Sequence, residues 1–183
     1  MLDDLKFLHN SDKSDVLGIL KRNWPDFNLL FADVSVAKNP AKKLAQEMLG
    51  KAVAIECAPE MLTVAVAWRK SIAVQAKHLA WISPVDVTDL SYVIGWSAQP
   101  PIRPVGIFRI RSNAETDDTK NLYKKVDKFL SGKRPFANEV VAPKNIKDEK
   151  VYLAAFGDFA ACYLALLNGV DPADNTLYNK IIN

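Results

Sequence analysis

Residues 53–82 read VAIECAPEMLTVAVAWRKSIAVQAKHLAWI, and the way this stretch divides decides the fold. Val53-Ala54-Ile55-Glu56-Cys57 is a short apolar run broken once by a carboxylate, which predicts a buried strand. Pro59 punctuates it. Residues 60–75 then run without Gly or Pro, which predicts a helix, with Glu60 in the first turn where the helix dipole favours an acid. A second apolar run, residues 78–82, predicts another strand. Strand, long helix and strand in this order form a crossover unit, and such units are right-handed and place the two strands parallel.

Upstream, Asn39 is a good N-cap, because its side-chain oxygen accepts from an orphan backbone N–H. Pro40 follows at the first helical position, where its missing N–H costs nothing. Ala41, Leu44, Ala45, Met48 and Leu49 then make one apolar stripe, and Gly50 supplies the left-handed stop. Before residue 36 the pattern is poorer; residues 15–22 read as a short helix that ends at Trp24-Pro25. Downstream, residues 105–110 form a third apolar run. Thr116-Asp117-Asp118 opens a helix striped by Leu122, Val126, Phe129 and Leu130 and stopped by Gly132. Residues 139–142 predict a fourth strand. The apolar stretch 151–167 ends in a buried helix closed by Gly169. Strands alternating with helices predict an α/β fold, a parallel sheet with helices on both faces. In such sheets ligands bind beyond the carboxyl ends of the strands, here Glu56 to Glu60 and Ser83-Pro84.

Composition narrows the function. The chain has 183 residues, 49% hydrophobic and 25% charged, which is ordinary globular usage. Lys and Arg number 24 against 21 Asp and Glu, a net charge of +3, too mild to announce nucleic acid or membrane as a partner. Nine basic residues gather between Lys120 and Lys150 against four acids, read as a solvated face or a weak anion-attracting surface. The run 151–167 is shorter than the roughly 20 residues a bilayer needs and carries Asp158, so it reads as buried. Cys57 and Cys162 sit in apolar contexts without metal-ligand spacing and read as buried thiols of a reducing, cytoplasmic compartment. The chain carries no GxGxxG, no phosphate loop, no GxSxG and no HExxH, and its two histidines, His9 and His78, are too few for a three-histidine zinc site. No cofactor and no metal are implied.

Four strings then match one family in order. Asn39-Pro40-Ala41-Lys42-Lys43-Leu44-Ala45 resembles the N-P-A-K-x-L-A helix start of the bifunctional phosphoglucose/phosphomannose isomerases. Gln75-Ala76-Lys77-His78 resembles the end of that family's N-E-N-A-K segment, and Val93-Ile94-Gly95-Trp96 its I-V-G-W. Gly157-Asp158-Phe159, continued by Tyr163-Leu164-Ala165 and Asn168-Gly169-Val170-Asp171-Pro172, is similar to its G-D-Y…L-A-x-x-R-G-V-D-P ending.

The resemblance implies a SIS (sugar isomerase) domain, a flavodoxin-like α/β sandwich, over residues 36–183, with residues 1–35 as an N-terminal extension. Family members carry two such domains, and this chain has room for the second. The resemblance further implies glucose 6-phosphate or mannose 6-phosphate isomerase chemistry, with a Glu base and a ring-opening His. In this register the base falls on Val74, the histidine on Leu90, and a late catalytic Lys on Tyr163. Valine and leucine carry no proton, and positioned acid–base groups contribute about 10²–10⁴-fold each. The reading is therefore a degenerate SIS protein with a sugar-phosphate-binding, regulatory or assembly role. Its alternatives are an active isomerase using the displaced groups Glu56, Glu60 or His78 or groups supplied by a partner, and a purely structural module. Candidate substrate contacts are Glu60, Gln75, Lys77 and Ser83. A homodimer, or pairing with another SIS domain, is the expected assembly.

Overall fold

In the computed structural model, residues 24–98, 104–144, 146, 148–174, 176 and 180 are described. The short helix expected at residues 15–22 lies outside them. Four strands, β1 (Ala52–Cys57), β2 (Ala80–Pro84), β3 (Val105–Arg111) and β4 (Ala137–Val141), form a parallel sheet in the order β2-β1-β3-β4. The helices between and around them are α1 (Pro40–Met48), α2 (Leu62–Gln75), α3 (Ser91–Ala98), α4 (Asp117–Phe129) and α5 (Glu149–Leu167). Short 3-10 turns cover Pro25–Leu30 and Pro59–Met61.

Strand residues alternate between the two faces of the sheet, as a pleat with period two requires. Val53, Ile55 and Cys57 of β1, with Phe108 and Ile110 of β3, face α1, α2 and α5. The second core, built from Ala58, Val85, Val93, Tyr123, Val126 and Leu130, lies under α3 and α4. Both faces of the sheet are thus covered, as the alternating pattern predicts.

The predicted caps hold. Asn39 Oδ1 accepts from Lys42 N at 3.0 Å, and Thr116 Oγ1 accepts from Thr119 N at 3.2 Å. Gly50, Gly132 and Gly169 all have φ near +70°, the left-handed conformation that stops a helix. Four elements differ from the sequence reading, among them α5, which is helical from Glu149 onward rather than only in its later part. The second strand starts at Ala80 rather than 78: the chain turns at Lys77, whose φ is +50°, and the His78 ring bonds to the Lys51 carbonyl instead of joining the strand. The fourth begins two residues early, at Ala137. Helix α3 has no counterpart in the sequence reading.

Helix α5 is long and apolar enough by length and composition to cross a membrane, yet half of it is buried in the core. Leu153, Phe156, Ala160, Ala161, Leu164 and Ala165 pack there. It is the core helix of a soluble α/β domain. It packs close to α2 at Gly157, where an added Cβ would lie 2.2 Å from the Trp68 ring. The Trp68 indole N–H also donates to the Leu153 carbonyl at 2.6 Å, so glycine lets the two helices lock.

Candidate functional site

β1 and β3 are neighbours whose following helices lead to opposite sides, so the chain's switch point lies between them. A charged row crosses the sheet here. Ser83, Glu56 and Arg109 are register partners in turn, and Arg109 is paired with Glu139. Their positions put all four on the face under α3 and α4. Glu56 is fully buried, and Arg109 and the Arg134 side chain are 1% and 2% exposed.

Glu56 Oε2 accepts from Arg109 Nε at 2.9 Å, and Oε1 lies 3.0 Å from Arg134 Nη2 and accepts from the Tyr92 hydroxyl at 2.5 Å. Arg109 also grips Asp127 on α4 with both terminal nitrogens, at 2.8 and 2.6 Å. Arg111 extends the network to Glu139 and forks onto Glu115. The Tyr123 ring lies 4.4 and 4.7 Å from the Arg109 and Arg111 guanidinium carbons. Burial pushes the Asp127 carboxyl up, but the hydrogen bond and charge of Arg109, helped by Arg134, outweigh it and hold Asp127 below the usual carboxylate range. Burial beside Glu60 and Glu56 pushes the Cys57 thiol up to about 12, so it is no nucleophile at neutral pH. The described residues hold no cluster of three metal-ligating side chains.

The residues singled out by sequence fall into separate places. Glu56, Glu60, Ser83 and Leu90 lie at the carboxyl ends of β1 and β2 or in the turns beyond them. Val74, Gln75, Lys77 and His78 lie at the other end, where α2 turns back into β2. Residues 62–73 of α2 separate the two groups, about 18 Å of helix. Tyr163 is in a third place: its hydroxyl donates to the Leu30 carbonyl at 2.5 Å, and Lys42 Nζ lies 5.3 Å from its ring centroid.

The polar members of the amino-end group hold the chain together. Lys77 Nζ donates to the Val74 and Asp174 carbonyls, both at 2.6 Å. His78 Nε2 lies 2.6 Å from the Lys51 carbonyl and so carries the proton, leaving Nδ1 to accept from Asn168 Nδ2 at 3.2 Å. Gln75 Nε2 donates to Asp158, which also accepts from Ser71. Glu60 is exposed in the turn before α2, Leu90 is 39% exposed, and Ser83 is buried in the charged row.

Sequence reasoning missed Arg109, Arg134, Asp127 and Tyr92. One signal was available: Arg109 interrupts the third apolar run as Glu56 interrupts the first, and opposite charges in two strands of one sheet suggest a pair.

A parallel four-stranded sheet in this order, wrapped on both faces by helices, defines a SIS-like α/β domain. Residues 37–181 match the bacterial phospho-glucose isomerase C-terminal SIS domain, and the chain belongs to that family. Among solved structures it is similar to a glucose-6-phosphate isomerase like protein from Thermus thermophilus, with a TM-score of 0.66 and 22% identity. That alignment covers 92% of this chain and 56% of the Thermus chain, so this chain corresponds to little more than half of it. No curated protein matches.

Proposed function

We propose that this chain is a catalytically silent SIS domain that keeps the family's scaffold for assembly with a second SIS unit or for holding a sugar phosphate. Residues 36–183 are the domain and residues 1–35 an extension whose Trp24 and Phe27 pack into its core. One observation carries the reading. The positions assigned to base and ring-opening acid hold Val74 and Leu90, and near Val74 the Lys77 ammonium, the His78 ring and the Gln75 amide nitrogen are bonded to the chain's own backbone and side chains. A proton shuttle must be within hydrogen-bond reach of its substrate and able to change partners. Lys77 and His78 each bridge two segments instead, and Glu56 is held by two arginines and a tyrosine.

Binding is tested by thermal shift of the purified chain with glucose 6-phosphate, fructose 6-phosphate and mannose 6-phosphate. A ligand present at about 100 times its dissociation constant adds about 2.7 kcal/mol, so a holding role requires a clear rise in melting temperature with at least one of them. An assembly role alone gives no shift and a stable oligomer by light scattering. A cytoplasmic location accords with two buried thiols free of disulfides.

A second reading has its own support. The two family positions lie at opposite ends of one sheet, and the chain matches just over half of its Thermus relative. An active site completed across two subunits or domains would reconcile these facts. Mixing this chain with a separately supplied SIS domain and assaying isomerisation tests it; turnover only in the mixture supports this reading.

A further inference from the structure

Three junctions of the chain meet at the amino end of the sheet, and the His78 ring pins them. Its Nε2–H donates to the Lys51 carbonyl, in the turn between α1 and β1, at 2.6 Å. Its Nδ1 accepts from Asn168 Nδ2, at the carboxyl end of α5, at 3.2 Å. Asn168 Nδ2 donates in turn to the Ala76 carbonyl, just after α2, at 3.1 Å. This set closes only around a neutral ring, which offers one donor and one acceptor; an imidazolium has two donors and no acceptor. Turning the Asn168 amide over does not restore it, because the amide oxygen would then face the Ala76 carbonyl, which has no proton to give.

We propose that His78 makes this junction a pH-sensitive latch, closed by the neutral ring and loosened when the ring takes a proton, so that the segment after α5 parts from the turn after α2. The charged groups on the segments packed there do not favour an imidazolium. Lys51 and Lys77 are cations, and the Lys77 ammonium is tied to the Val74 and Asp174 carbonyls. The nearby acids are engaged elsewhere: Asp171 accepts from Ala173 N, and Asp174 accepts from the Thr176 N–H and hydroxyl. The ring is only partly buried, so protons reach it from solvent. A group that must stay neutral in the folded chain contributes stability above the ordinary histidine value of about 6.5, and that contribution is lost as pH falls below it. The inference stands apart from the catalytic reading above.

Urea denaturation of the full chain at about pH 7.5 and about pH 5.5 tests it, together with histidine nitrogen NMR, which reads the tautomer directly. Wild type is expected to unfold more readily at the lower pH, its unfolding constant rising up to about tenfold. His78→Gln has no proton to take there and is expected to lose most of that rise. Asn168→Asp is expected to shrink or reverse it, because a carboxylate accepts from the Nδ1–H of an imidazolium. At the higher pH the His78 signal is expected to show a protonated Nε2 and a bare Nδ1. The same pH dependence in wild type and both variants would overturn the proposal. So would a His78 ring protonated on Nδ1 at the higher pH, a result that needs no variant to fold.

Discussion

Two glutamates four residues apart show how much context decides. Glu56 and Glu60 are equal candidates in the sequence for a displaced catalytic carboxylate, yet one is buried among two arginines and a tyrosine and the other stands in solvent. Removing one partner of a buried ion cluster leaves uncompensated charge and costs about 3–5 kcal/mol. Glu56→Gln is therefore expected to lower unfolding stability by that order in a urea titration, while Glu60→Gln stays within about 0.5 kcal/mol of wild type. Equal, small effects would mean that the buried cluster contributes little. Gly157 makes a similar contrast. Alanine in a helix interior is normally better than glycine by about 1 kcal/mol. Here its methyl would enter the Trp68 ring, whose atoms lie 2.2 Å from the added Cβ, and the ring is fixed by its bond to Leu153. Overpacking costs about 1–3 kcal/mol or more, so Gly157→Ala is expected to destabilise despite the helix gain.

At the scale of elements, the ends of α2 explain why Lys77, and not glycine, occupies a left-handed position with φ of +50°. That conformation costs a side chain about 1–2 kcal/mol, and two backbone hydrogen bonds from its ammonium offset the strain. Lys77→Ala keeps the strain and loses the bonds, whereas Lys77→Gly loses only the bonds. The alanine variant is expected to melt lower than the glycine variant by the equivalent of about 1 kcal/mol; the reverse order would contradict this account of the turn. Elements with one apolar face were legible in the sequence. The stripe and cap of α1, the acids and glycine of α4, and the apolar runs of β1 and β3 each show in local spacing. Helix α3 was not, because Tyr92-Val93-Ile94-Gly95-Trp96 is apolar without a polar stripe and shows no helical period. Helix α5 hid its first turns for the same reason, being packed between α1, α2 and the sheet. Charged pairings across elements, such as Arg109 with Asp127, depend on register and crossover and leave no trace in spacing beyond a lone charge in an apolar run.

Across the whole molecule, the charged row ties three strands to α4 and to the turn before β4, so stability should follow its titration. Asp127 is held below its ordinary value by Arg109. A depressed carboxyl contributes stability above the unfolded value of about 3.9, and that contribution is lost as pH falls through the lower folded value. Chemical denaturation from neutral pH down to about pH 2 is expected to show wild type losing stability more steeply below about pH 4 than Asp127→Asn does. Parallel curves would mean that the ion pair makes no net contribution. The proposed function rests at this scale on Val74 and Leu90 standing at the positions that the family resemblance assigns to the base and the ring-opening acid. The most direct test is a coupled isomerase assay on the purified full chain with fructose 6-phosphate, reading formation of glucose 6-phosphate. No turnover above the buffer rate is expected. Sustained turnover by the chain alone, abolished by Glu60→Gln or His78→Ala, would contradict the reading of a silent domain.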